Sequence, residues 1–138
     1  MTIAPTITTA QLILRHHVMT DFEPLYALLE SDRAQFLGAP LSRKQSWHWI
    51  ASEIGRILLA HTEGKGYARQ GATAILNWVR RSLKPNTLVS YIDQKNLRSI
   101  ALAERLGALP NPNAARPDGE AKEDTIVYRH ALELVQWA

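Results

Sequence analysis

The sequence predicts a single α/β domain in which helices cover a sheet, and three observations support this fold class. Helical and strand-like patterns alternate along the 138 residues with no internal repeat and no linker between them. The longest helical pattern is followed at 87–93 by a β-branched and aromatic stretch of strand length. A hydrophobic content of 46% with 21% charged residues is ordinary for a globular protein large enough to form one core.

The N-terminal half predicts one strand and two helices. Alternating apolar residues at 9–18 predict the strand, and an apolar face predicts a helix that follows a cap at Thr20 or Asp21. Ser42 is suited to cap the second helix, whose shared apolar face comprises Trp47, Ile50 and Ile54.

The C-terminal half predicts two helices and two strands. The first helix spans Gly66 to Leu83, with the strand at 87–93 after it. Asn96 is suited to cap the next helix and Gly107 to end it, and alternation at 124–132 predicts a final strand. We assign the first of these helices an apolar face of Tyr67, Gly71, Ala74, Ile75, Trp78 and Leu83.

Charge and composition narrow the classes of function. The net charge of +3 suits an anionic ligand but does not select one. Arg80, Arg81 and Lys84 form the main basic cluster, which we interpret as a solvated helix end rather than a nucleic-acid surface. No signal-like or membrane-length apolar segment, no cysteine and no metal-ligand spacing occurs, so we expect a cytoplasmic protein without a metal.

A glycine-rich turn, HTEGKGYARQGA at 61–72, precedes the longest helix. The first N–H groups of a helix lack internal partners and the helix dipole adds about half a positive charge, so an anion is favoured there. Gly66 stands where a Walker loop needs Ser or Thr, and Arg69 stands where a dinucleotide turn needs glycine. On these residues alone, an anion site and a purely structural turn both remain open.

Two blocks of sequence resemble the GCN5-related N-acetyltransferases (GNAT), most nearly the branch that modifies ribosomal-protein N-termini. The first block is EGKGYARQGATAILNWV, and after a strand comes the second, NLRSIALAERLGA. In this family the glycine-rich turn receives the pyrophosphate of coenzyme A on backbone N–H groups. The segment at 12–31 is also similar to the first strand and helix of the branch.

This resemblance implies a set of site residues. Asn96 would contact the pantetheine arm, Ser99 would donate a proton to the thiolate, and Glu53 would act through water as the base. The backbone N–H groups of Leu58 and Leu59 would polarise the thioester carbonyl. The implied cofactor contacts are Leu58, Leu59, Glu63, Gly64, Lys65, Gly66, Tyr67, Ala68, Asn96 and Ser99.

The chain departs from the family before the glycine-rich turn, where family members place two further strands. Residues 52–60 would have to end a helix and also supply the strand that enters the turn, so we expect the domain at 1–138 to be shortened near 51–53. Two strands with their turns need on the order of 20 residues. A sheet shortened in this way has an unpaired edge, which favours a homodimer.

The resemblance therefore implies an acyl-CoA N-acyltransferase fold, a mixed sheet flanked by helices, that transfers acetyl from acetyl-CoA. The acceptor would be a primary amine of a small molecule or a protein N-terminus, attacking directly in a ternary complex. The alternative is a degenerate, non-catalytic protein of the same fold that binds coenzyme A or a partner. A nucleic-acid module is a third, less favoured hypothesis, and no membrane role is expected.

Overall fold

A computed structural model describes residues 5–38, 40–52, 62–116 and 121–134. Its contacts divide the chain into two compact units, Met1–Tyr67 and Ala68–Ala138. Two short 3-10 helices, Met19–Asp21 and Asp32–Leu37, flank the first α-helix. The other described elements are β1 (Ile7–Thr8), β2 (Ile13–Leu14), α1 (Phe22–Leu29), α2 (Arg43–Ser52), α3 (Tyr67–Ser82), β3 (Val89–Asp93), α4 (Leu97–Arg105), β4 (Leu109–Pro110) and β5 (Thr125–Arg129).

The first unit opens with a small antiparallel hairpin in place of the single strand predicted at 9–18. β1 pairs with β2, so that Ile7 lies opposite Leu14. The turn between them closes on itself, because Thr9 N–H donates to the Leu12 carbonyl at 2.8 Å and the Leu12 N–H donates to Thr9 Oγ1 at 3.0 Å. The alternating pattern was thus right about β structure and wrong about its extent.

The two helices of the first unit begin near the predicted caps, by different means. The Asp21 carboxylate accepts hydrogen bonds from the Arg15 guanidinium, at 2.7 and 2.9 Å, and from the Val18 N–H at 2.8 Å, so it orders the approach to α1. The bond from Arg15 holds the pKa of Asp21 well below its usual range. Ser42 caps α2 as predicted: its Oγ accepts from the Gln45 N–H at 3.3 Å, while Gln45 Oε1 accepts from the Ser42 N–H at 2.9 Å.

The second unit contains a three-stranded sheet of order β3-β5-β4. Both pairings are antiparallel, with Ser90 opposite Tyr128 and Leu109 opposite Arg129. The family fold predicted a mixed sheet, but every strand pairing in the described ranges is antiparallel. The strand predicted at 53–59 lies outside the described residues.

The core of this unit lies between α4 and the sheet. Its buried members are Ile92, Ala103, Ala108 and Tyr128, with Ile100 and Ile126 packed against them. The Tyr128 hydroxyl donates to Glu104 Oε1 at 3.1 Å, and burial of the ring raises the pKa of Tyr128. The predicted helix end is confirmed, because Gly107 has a left-handed φ of 79° just after α4.

The basic cluster at the end of α3 is not the solvated helix end that the sequence predicted, because Arg80 is only 7% exposed. Its Nε donates to the Ala131 carbonyl at 2.8 Å and its Nη1 donates to Asn77 Oδ1 at 3.0 Å. Burial lowers the pKa of Arg80. Arg81 and Lys84 are exposed, as expected.

The predicted apolar face of α3 is also only partly covered. Gly71 is buried, but Ile75 is 43% exposed and Leu83 is 62% exposed. Helical spacing identifies residues that share a face, whereas the neighbouring elements decide which face is covered.

Candidate cofactor site

The glycine-rich turn has a backbone conformation that requires two of its glycines. Gly64 has a φ of 74° and Gly66 a φ of 77°, a left-handed region that costs other residues roughly 1–2 kcal/mol. A Cβ atom added at either glycine would meet nothing within 4 Å. Close packing therefore does not explain why these positions are glycine. The left-handed backbone conformation does, and the space beside both residues is open.

α3 begins at Tyr67, immediately after Gly66. Its first N–H groups have no carbonyl of a preceding helical turn to bind, and its 16 residues carry an aligned dipole. Lys65 is exposed and its Nζ lies 6.0 Å from the centre of the Tyr67 ring. The turn therefore offers backbone donors, a helix N-terminus and a cation, which together suit a phosphate group.

Glu63 would place a negative charge beside such a phosphate, and Arg33 offsets it. The Arg33 guanidinium forms an ion pair with the Glu63 carboxylate, across 30 positions of sequence. Arg33 belongs to the 3-10 helix Asp32–Leu37 and was not among the residues implied by the sequence motifs. No local pattern could have indicated it, because the contact exists only once this segment lies against the turn.

Asn96 and Ser99 come together at the start of α4. Asn96 Oδ1 accepts a hydrogen bond from the Ser99 N–H at 3.2 Å, so the predicted helix cap is confirmed. The Asn96 N–H donates to the Asp93 carbonyl at 2.9 Å, which fixes the residue at the end of β3. Because the cap uses the amide oxygen of Asn96, its NH2 group is left to donate to a ligand.

The remaining predicted site residues, Glu53, Leu58 and Leu59, lie outside the described residues. Within the described ranges, no group of three or more metal-ligating side chains is placed to hold a metal ion. In the same ranges, no helix combines the length and the apolar character needed to cross a membrane.

Comparison with known proteins identifies the class of the fold. The chain is similar to the crystal structure of an acetyltransferase from Agrobacterium tumefaciens strain C58, with 26% identity and a TM-score of 0.82 over 95% of this chain and 96% of that chain. It is also similar in fold to a GNAT-family acetyltransferase from Bacillus anthracis, with 14% identity and a TM-score of 0.72 over 93% and 99% of the two chains. No curated protein matches the sequence.

A second comparison matches part of the chain to a family model. Residues 51–109 match the model of the acetyltransferase (GNAT) domain, a range that includes the glycine-rich turn, α3, β3 and α4. The protein therefore has the α/β fold of the GNAT acetyltransferases, and its segment 51–109 matches their domain. Acetyl-CoA is the acetyl donor that this family uses, and the open turn before α3 fits the phosphate groups of such a donor.

Proposed function

We propose that the protein transfers the acetyl group of acetyl-CoA to a primary amine that attacks directly in a ternary complex. The observation that carries this proposal is the open turn with two left-handed glycines at the start of α3. The acceptor is a small-molecule amine or a protein N-terminus. The branch that modifies ribosomal-protein N-termini remains the nearest resemblance for the choice of acceptor.

In this proposal the turn binds the pyrophosphate. Backbone N–H groups of Gly64 to Ala68 would donate to its oxygens, and Lys65 would add a positive charge. Arg33 supports this role indirectly, since its ion pair reduces repulsion between Glu63 and the phosphates. Because Gly64 and Gly66 have no Cβ atom, the backbone at these two positions stays accessible.

Asn96 and Ser99 have separate roles in the proposal. The NH2 group of Asn96 would donate to the pantetheine arm while its oxygen continues to cap α4. Ser99 is partly buried in the first turn of α4, and its hydroxyl would donate a proton to the leaving thiolate. Glu53 as the base, and the N–H groups of Leu58 and Leu59 at the carbonyl, remain predictions from the resemblance.

The bound thioester would supply the activated acetyl group, and this chain would hold it and place the amine beside it. Binding and chemistry are therefore tested separately. Isothermal titration calorimetry with coenzyme A should give a saturable heat, and absence of binding at millimolar coenzyme A contradicts the proposal. Thiol release from acetyl-CoA should then rise with a panel of peptides and small amines. Binding without amine-dependent thiol release would favour the non-catalytic alternative.

We further propose that residues 1–138 act as one shortened GNAT domain in the cytoplasm, without a metal or nucleic acid, and that they form a homodimer. The unpaired edge expected of a shortened sheet motivates the dimer. Light scattering at several protein concentrations would measure its mass, and a monomer at all of them contradicts this part of the proposal.

A further inference from the structure

An open groove of about 620 Å³ lies in the first unit, between the start of α1 and the start of α2. We call it the aromatic groove. It is lined by Met19, Phe22, Glu23, Arg43, Lys44 and Trp47. None of these residues belongs to the proposed cofactor site.

The floor of the aromatic groove is held in place by ring and ion contacts. The Phe22 and Trp47 rings meet edge to face with their centres 5.2 Å apart. The Arg43 guanidinium lies 4.8 Å from the centre of the Phe22 ring and is also ion-paired with Glu23. The hydrogen bond from Arg43 lowers the pKa of Glu23.

The rim of the groove exposes apolar side chains, and this exposure does not stabilise the folded monomer. Met19 is 74% exposed and Trp47 is 46% exposed, although the Trp47 ring also meets the Phe22 ring edge to face. Trp and Met are both enriched where proteins bind partners, because they offer a large or adaptable apolar contact. The apolar part of the groove therefore fits one or two apolar side chains of a ligand.

The charges at the groove are unusual for the start of a helix. Arg43 and Lys44 occupy the first turn of α2, which contains no acidic residue, and cations there oppose the helix dipole. Glu23 offsets the charge of Arg43. Lys44 is exposed and forms no ion pair with any residue that the structure describes. One positive charge at the edge of the groove thus remains available to an anionic group.

We propose that the aromatic groove is a docking site for a peptide segment that carries both apolar and acidic side chains. The apolar side chains contact Met19 and Trp47, and the carboxylates lie beside Lys44. An extended peptide fits this open, shallow shape better than a small molecule, which usually needs an enclosing pocket. A bilayer surface is less favoured, because the site includes the carboxylate of Glu23. Docking does not depend on acetyl transfer.

Fluorescence anisotropy with three labelled decapeptides tests this proposal on the full chain. The first contains two leucines followed by four glutamates, the second replaces the glutamates by lysines, and the third replaces the leucines by serines. We expect the first to bind at least about tenfold more tightly than either of the others. Lys44→Glu should weaken its binding about tenfold, and Met19→Ser should weaken it several-fold. Lys122→Glu, an equal charge change on an exposed residue outside the groove, should leave binding within about twofold.

Circular dichroism and thermal unfolding of each variant establish that it folds, and the exposed positions of Lys44 and Met19 make both substitutions tolerable. Equal binding of the acidic and basic peptides, or equal weakening by Lys44→Glu and Lys122→Glu, would overturn the proposal. So would a dimer that Met19→Ser dissociates, since a second copy would then occupy the groove. Binding to phosphatidylserine vesicles that Lys44→Glu abolishes, with no peptide bound, would assign the groove to a membrane instead.

Discussion

The glycine-rich turn and the Asn96 cap differ in how much of their hydrogen-bonding capacity the fold already uses. At the turn, Gly64 and Gly66 curve the backbone and a Cβ on either would meet only open space. At the cap, the Asn96 oxygen already accepts from the Ser99 N–H. A ligand at the turn would meet donors that the helix itself cannot satisfy, whereas a ligand at Asn96 would meet only the NH2 half of an amide. We therefore expect the turn to supply most of the cofactor affinity.

The largest effect should come from the double variant Gly64→Ala/Gly66→Ala. Each alanine would be forced into a left-handed conformation that costs roughly 1–2 kcal/mol. The turn should therefore adopt another backbone conformation, in which its N–H groups no longer point toward the ligand. We expect the Kd for coenzyme A in calorimetry to rise about tenfold or more. Gly107→Ala is the matched control, because Gly107 has the same sign of φ and equally open surroundings but ends α4. If Gly107→Ala weakens coenzyme A equally, the turn has no special role.

Substitution of Asn96 should have a smaller effect and should separate its two roles. Asn96→Asp keeps an oxygen that can cap α4 but loses the NH2 donor, so the Kd for coenzyme A should rise about threefold to tenfold with little loss of stability. Asn96→Ala should also lower the free energy of unfolding by about 1 kcal/mol, because the cap is lost. Urea unfolding and calorimetry measure the two quantities. If Asn96→Asp binds coenzyme A as tightly as the natural protein does, Asn96 only caps α4 and does not contact the cofactor.

Arg33→Ala should have a weaker effect on the turn. Without Arg33 the Glu63 carboxylate would stand uncompensated near the phosphates, and exposed charge pairs contribute about 0.2–1 kcal/mol. We expect the Kd for coenzyme A to rise about twofold to fivefold at low salt and less at high salt. The double variant Arg33→Ala/Glu63→Gln should recover the affinity of the natural protein. Failure of this recovery would mean that Arg33 acts by another route.

The smallest effect on cofactor binding should come from Asp21→Asn. Both carboxylate oxygens of Asp21 already accept hydrogen bonds from Arg15 and Val18, just as the Asn96 oxygen already accepts one within the fold. Its effect should appear in acid instead. The folded pKa of Asp21 is lowered, so its contribution to stability is present above its unfolded pKa of about 3.9 and declines as the pH falls below that value. Between pH 7 and pH 2, the midpoint temperature of thermal unfolding should fall more steeply for the natural protein than for Asp21→Asn. Parallel curves would contradict this assignment.

Features that depend on neighbours in sequence were predictable. The helices α3 and α4, the strands β3 and β5 and the caps at Ser42 and Asn96 follow from spacing and from side chains that bond three residues away. The resemblance to the GNAT family also came from sequence, because each of its two blocks is a short uninterrupted stretch, and residues 51–109 match the model of that domain. The predicted shortening near 51–53 and the roles of Glu53, Leu58 and Leu59 stay predictions.

The sequence by itself determined where the backbone must curve and where helices start and stop, since these depend on the conformational preferences of single residues and on bonds within one turn. Only the tertiary structure decided which polar groups are buried or paired. Arg80 is buried through a carbonyl 51 positions away, and Arg33 meets Glu63 across 30 positions. Such contacts arise from the packing of distant segments, and local periodicity contains no record of that packing.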